Sequence, residues 1–213
     1  MIHLVTGGSG SGKSEYGEGL ILDISDGERF YIATMEPSGR EAERRIARHR
    51  KLRAGKGFLT IERPRDLGGL ILPGEGRKNV LLECVSNLAA NEMFGGGACG
   101  SAEPVGEARV CGPAEPAGEA GACGLAEPAQ ETGPDRLTEL ARRIVSDIRS
   151  LACQADHLVI VTNQVGEDGC CYDRETRAYI ALVGRVNQEL AKLADQVTEV
   201  VFGIPVVVKG EGK

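Results

Sequence analysis

Tryptophan is absent from this chain of 213 residues, and aromatic residues make up only 4% of it. Histidine is scarce too, so imidazole chemistry must come from His3, His49 or His157. No apolar run approaches the length that spans a bilayer, and nothing at the amino terminus resembles a signal peptide. The expectation is a soluble cytoplasmic protein. A paired-cysteine framework is missing as well. The seven cysteines are odd in number, the neighbours Cys170 and Cys171 are poorly placed to bridge each other, and three others lie in a repeat. All seven read as thiols of a reducing compartment. The formal charge is −6, and nothing in it argues for nucleic-acid binding.

Most of that negative charge sits in one segment. Residues 95–134 hold six Glu against one Arg, a balance of −5, which leaves about −1 for the rest of the chain. Cys99-Gly100, Cys111-Gly112 and Cys123-Gly124 recur every twelve residues, each followed by Ala-Glu-Pro. With ten glycines, five prolines and no aromatic residue, the segment lacks the apolar surface needed to offset the entropy of ordering it. A twelve-residue spacing of single cysteines matches no usual zinc pairing. The composition predicts a disordered low-complexity insertion at 95–134 within a single domain spanning 1–213, a length suited to one α/β unit.

What is present declares itself at the start. A short apolar strand, Ile2 to Thr6, runs into Gly7-Gly8-Ser9-Gly10-Ser11-Gly12-Lys13-Ser14, which fills every fixed position of G-x-x-x-x-G-K-[ST]. Glycines let the backbone wrap so that successive N–H groups face phosphate oxygens, and the helix that follows presents its positive dipole end to an anion. Lys13 is the cation for the β/γ-phosphates and Ser14 the hydroxyl ligand for Mg2+. The chain therefore reads as a binder of nucleoside triphosphates.

Outside the insertion, strands are predicted at 2–6, 29–34, 79–84, 157–163, 197–202 and 205–209. Helices are predicted at 13–23, 40–53, 86–94, 135–154 and 174–195. Alternation of this kind implies an α/β fold of the P-loop NTPase type: a mostly parallel sheet, helices on both faces, and a C-terminal antiparallel edge hairpin turning at Gly203-Ile204-Pro205. Ligands belong at the carboxyl ends of the strands.

Two further places bear chemistry. Glu83 ends the buried strand Lys78 to Cys84, where an acidic residue is costly without a partner. It is either the second contact of the Mg2+ and its waters or a cap of the following helix. The stretch 40–53 is strongly basic, and a step of four aligns Glu41, Arg45, His49 and Arg53. Flanking guanidiniums disfavour imidazolium, which leaves His49 a lone pair at neutral pH, and the same arginines suit a triphosphate. Those are the needs of a histidine nucleophile, although a solvated basic helix with an incidental histidine has the same pattern.

The motifs together carry a family resemblance. GGSGSGKS at 7–14, YIAT at 31–34, E-x-x-x-R-I-x-x-H-R at 41–50, LLEC at 81–84, VTNQVG at 161–166 and GRVNQELAKLADQVTEVVFGIP at 184–205 resemble the bifunctional adenosylcobinamide kinase/adenosylcobinamide-phosphate guanylyltransferases of cobalamin biosynthesis. The likeness covers nearly all of the chain outside 95–134. It implies two reactions: phosphorylation of adenosylcobinamide by ATP or GTP on the P-loop, then transfer of GMP from GTP through a guanylylated histidine, here His49, to give adenosylcobinamide-GDP. It also implies nucleotide contacts from Thr34, Arg45, Lys51, Arg53 and Glu62, the last through the family's T-x-E, and assembly as a homotrimer.

The chain departs from the family pattern in one region. Gln164 stands where N-E-V-G usually has its carboxylate, Cys170-Cys171-Tyr172-Asp173 replaces G-I-V-P, and Ile180-Ala181-Leu182 replaces F-R-D. Two other readings stay open from the residues: a plain small-molecule P-loop kinase in which His49 is structural, and a nucleotide-binding regulatory descendant with negligible turnover.

Overall fold

The computed structural model of the protein describes residues 1–36, 55–95, 134–166 and 169–210. Its strands are β1 (Ile2–Thr6), β2 (Glu28–Ala33), β3 (Phe58–Glu62), β4 (Lys78–Glu83), β5 (His157–Val161), β6 (Gln196–Val201) and β7 (Ile204–Lys209). They form one seven-stranded sheet in the order β3-β2-β4-β5-β1-β6-β7. Every neighbouring pair is parallel except β6 with β7. The helices are α1 (Lys13–Leu22), α2 (Val85–Phe94), α3 (Pro134–Ala152) and α4 (Arg174–Leu193), with a 3-10 turn at Leu67–Gly69.

Alternation along the strands builds two cores. Phe30, Ile32, Val80, Leu82, Leu158 and Ile160 point to one face, where they pack against α2, α3 and α4. Tyr31, Leu81, Val159 and Val161, one residue out of step, point to the other face with Ile21 of α1. On α3, Leu137, Ala141, Ile144, Ile148 and Leu151 recur at steps of four and three and are all buried. Full burial of each large aliphatic contributes about 1.5–3 kcal/mol, which holds this helix against the sheet despite its charged outer face. Helix α1 approaches closely at Gly17, where a Cβ would lie 3.1 Å from Val161 and 3.3 Å from Leu81. An alanine there would require those side chains to give by a few tenths of an ångström, and a bulkier residue would overpack the contact between α1 and the sheet.

The predicted strands and described helices agree with the structure to within two residues at every boundary. The α/β architecture, the helices on both faces and the C-terminal edge hairpin are as expected; Phe202 and Gly203 turn that hairpin with φ of 50° and 80°. Strand β3 and the turn at Leu67–Gly69 were not anticipated. Phe58–Glu62 is an edge strand paired only to β2 and half exposed along its length, so it lacks the continuous apolar run of the central strands. The helix predicted at 40–53 and the insertion at 95–134, except for Gly95 and Pro134, lie outside the described residues. Among the described residues, no helix is long and apolar enough to cross a membrane.

The two flanks of the insertion border one cavity. Gly95, at the end of α2, and Arg136, in the first turn of α3, line one cavity of about 470 Å³ together with Arg65, Asn91, Glu92 and Arg143. Shortening a loop changes its closure entropy only slightly. Deleting 96–133 and joining the ends is expected to leave the melting temperature within a few degrees of the parent. Calorimetry on the deletion variant checks this. Loss of a cooperative transition would show that the repeat belongs to the core.

Candidate functional site

The ladder register aligns the carboxyl ends of the strands. Val161 pairs with Glu83, Glu83 with Ala33 and Ala33 with Glu62, while Thr6 pairs with Glu199. The loop Gly7–Ser14 leaves β1 at this edge and opens α1 at Lys13. Gly7 has to be glycine: its φ is 155°, and a Cβ would come within 2.6 Å of both the Val200 carbonyl and Ser11 Oγ. The loop is also held from the hairpin, where the Gly203 N–H donates to the Ser11 carbonyl at 2.8 Å.

Lys13 is buried, and its Nζ donates to the Gly8 carbonyl at 2.8 Å. The side chain thus lies over the loop it follows. Burial holds its pKa below that of an ordinary lysine, opposed by the nearby Cys84 and Glu83. Ser14 Oγ donates to Glu83 Oε1 at 2.5 Å, and the Tyr31 hydroxyl donates to Glu83 Oε2 at 2.5 Å. Glu83 is therefore gripped at both oxygens, one by the phosphate loop and one by β2. Its side chain faces the loop rather than capping α2, whose N-cap residue Cys84 makes no side-chain cap bond.

Thr34 is fully buried, and its hydroxyl clasps the start of α2, donating to the Cys84 carbonyl at 2.8 Å and accepting from the Cys84 N–H at 2.7 Å. It fixes the end of β2 against the end of β4. Glu62 is exposed at the end of β3, two strands from Glu83, a separation of roughly 10 Å across the sheet. Burial pushes the Cys84 thiol pKa upward.

A second polar group sits where β5 ends. Thr162 donates to Asn187 of α4 at 2.7 Å, and Asn163 Nδ2 donates to Ser86 Oγ at 2.5 Å. Tyr179 donates to the Ser86 carbonyl at 3.1 Å, and burial pushes its pKa up to about 12. Ser86, Tyr179, Asn187 and Tyr31 were not picked out as site residues from sequence. The signal available was the change from an apolar run to Thr162-Asn163 at the carboxyl edge of a central strand, the edge where ligands bind.

His49, Arg45, Lys51 and Arg53 lie outside the described residues. The other two histidines sit toward the amino ends of β1 and β5, away from the loop. His3 is buried with its Nε2 at 2.8 Å from Thr198 Oγ1, and burial lowers its pKa. With His157 it lines a cavity of about 210 Å³ behind α1.

The site thus combines loop amides, a buried cation and a hydroxyl–carboxylate pair at the head of a parallel sheet. The family described as cobinamide kinase / cobinamide phosphate guanyltransferase matches residues 3–208. The bifunctional adenosylcobalamin biosynthesis protein CobU of Escherichia coli (strain K12) is 34% identical over 214 residues, covering 98% of this chain and 100% of that protein. The protein of the same name from Salmonella typhimurium (strain LT2) is 33% identical with the same coverage. The solved structure of the flagellar accessory protein FlaH from Methanocaldococcus jannaschii superposes with a TM-score of 0.42 at 11% identity, covering 99% of this chain and 78% of that one.

Proposed function

The chain belongs to the cobinamide kinase / cobinamide phosphate guanyltransferase family, and from that membership we propose that it runs two successive reactions on one corrinoid. In the first, ATP or GTP sits on Gly7–Ser14, and the terminal hydroxyl of the aminopropanol arm of adenosylcobinamide attacks the γ-phosphorus. The bond from that phosphorus to the bridging oxygen breaks, and the nucleoside diphosphate leaves. Lys13 and the loop amides stabilise charge on the transferring group, a preorganised electrostatic role. Ser14 and Glu83 are hard oxygen donors already in contact, a pair suited to Mg2+, which is held in such sites by a loop hydroxyl and a strand-end carboxylate. When bound, the ion would neutralise phosphate charge. Tyr31 keeps the Glu83 carboxylate turned toward the loop.

In the second reaction a nitrogen of His49 attacks the α-phosphorus of GTP. A P–N bond forms, the P–O bond to pyrophosphate breaks, and guanylyl-histidine results. A phosphate oxygen of adenosylcobinamide phosphate then displaces the histidine to give adenosylcobinamide-GDP. Arg45, Lys51 and Arg53 neutralise the triphosphate, and Glu62, at the carboxyl edge of the sheet, contacts guanine or ribose. The active assembly in this reading is a homotrimer.

The observation that supports the reading most is the Lys13 and Ser14–Glu83 arrangement, set at the strand ends of a chain whose family match runs from residue 3 to 208. Incubation with γ-labelled ATP or GTP plus cobinamide is expected to label the corrinoid. Incubation with α-labelled GTP alone is expected to label the protein. Absence of corrinoid labelling from either donor would overturn the kinase half, and absence of protein labelling the guanylyl half.

A further inference from the structure

Gln164 ties together three strand ends. Its backbone N–H donates to the Gly7 carbonyl at 3.2 Å, and its side-chain Nε2 donates to Glu199 Oε1 at 2.8 Å. Gly7 is the first residue of the phosphate loop after β1. Glu199 lies in β6, where it pairs with Thr6 of β1 and directly precedes Val200, whose carbonyl is packed against Gly7. The exit of β1, the exit of β5 and the end of β6 therefore meet at Gln164. Gln164 is thus held at both its backbone and its side chain.

The amide is the group that this position requires. Glu199 accepts the bond, so its partner must donate. A carboxylate at 164 would place two negative charges at hydrogen-bond distance, and the pair would repel. Apart from the Gly7 carbonyl, none of these atoms belongs to the loop or to the Lys13–Ser14–Glu83 set, so the contact acts on the loop at its origin.

We propose that Gln164 and Glu199 are positioning residues, a clasp that fixes the origin of the phosphate loop and so aims its amides at the nucleotide. The inference rests on the reading of Gly7–Ser14 as the nucleotide site. Small misplacements of a binding constellation cost large factors in affinity and rate, so a clasp one residue from the loop has leverage.

The test is a charge-swap cycle on the full chain, read by the Kd of a fluorescent GTP analogue with magnesium and by the melting temperature. Gln164→Glu is expected to raise Kd by about tenfold or more. Glu199→Gln keeps an amide-to-amide bond and is expected to change Kd by less than about threefold. The double variant Q164E/E199Q reverses donor and acceptor and is expected to return Kd to within about threefold of the parent. A contact that only adds stability would move the melting temperature and leave Kd of the folded protein unchanged in all three. Should Q164E fail to fold, Gln164→Ala removes the amide without adding charge and is expected to raise Kd severalfold. Parent-like Kd in Q164E, or in Q164A where that variant stands in, overturns the clasp, as does a double variant that binds no better than Q164E. Lys13→Ala separates the two readings. A parent that shows no nucleotide affinity overturns the loop assignment and the clasp together, whereas a Lys13-dependent affinity that ignores residue 164 overturns the clasp alone.

Discussion

Lys13→Ala is expected to lower the rate of γ-phosphoryl transfer to cobinamide by at least about a hundredfold, or about 2.7 kcal/mol of transition-state stabilisation. The size follows from where the cation sits. Lys13 is 7% exposed, lies over the loop with Nζ on the Gly8 carbonyl, and has Glu83 and Cys84 close by. In such a water-poor site one preorganised charge aimed at a developing phosphoryl charge supplies several kcal/mol, far more than the same charge at the surface. Because that charge grows as the phosphoryl group transfers, the loss should fall on kcat more than on KM. Steady-state kinetics with cobinamide and either nucleotide measure both constants, and circular dichroism establishes that the variant is folded. Turnover within a few-fold of the parent would remove the loop from the chemistry.

The central part of this fold was legible because two local rules agree there. Strands such as Val80 to Leu82 are buried on both faces and read as unbroken apolar runs, and each ends at a residue with a reason to stop, Gly7 after β1 and Glu83 in β4. Edge strand β3 lacked that run, because Leu59 is half exposed and Glu62 faces solvent. The phosphate loop was legible because its residue types act through the backbone within eight consecutive positions. Contacts that depend on strand order were not. Tyr31 meets Glu83 only because β2 lies beside β4, and Gln164 meets Glu199 only because β1 sits between β5 and β6. Nothing local to either residue encodes its neighbour, since the partners are 52 and 35 positions apart in the chain.

Gln164 also shows how a local departure is explained by a distant residue. Viewed alone, an amide in place of a carboxylate looks like a lost acid. Beside Glu199 it is the donor that lets a half-buried carboxylate stand next to the phosphate loop without a second negative charge. In the proposed clasp the departure alters the support of the loop and leaves Lys13, Ser14 and Glu83, the residues assigned to phosphoryl transfer, unchanged.

His49→Ala is expected to abolish protein labelling by α-labelled GTP and, with it, formation of adenosylcobinamide-GDP, while phosphorylation of cobinamide continues at close to the parent rate. The two reactions separate because they use different groups. In the proposed mechanism γ-phosphoryl transfer draws on the loop, the Lys13 cation and the Ser14–Glu83 pair, none of which is histidine. The guanylyl step needs a nitrogen with a free lone pair, and the arginines around position 49 have none to offer. His3 does not substitute for it, being buried against Thr198 toward the amino end of β1. In the parent the label should be lost in acid and survive alkali, because a phosphoramidate breaks when its nitrogen is protonated. Labelling that persists in His49→Ala with the same acid lability would move the nucleophile to another side-chain nitrogen, a histidine or a lysine such as Lys51. A parent that phosphorylates cobinamide but never takes the label would reduce the protein to a kinase, and one that binds nucleotide yet performs neither reaction would make it a regulatory descendant of the enzyme.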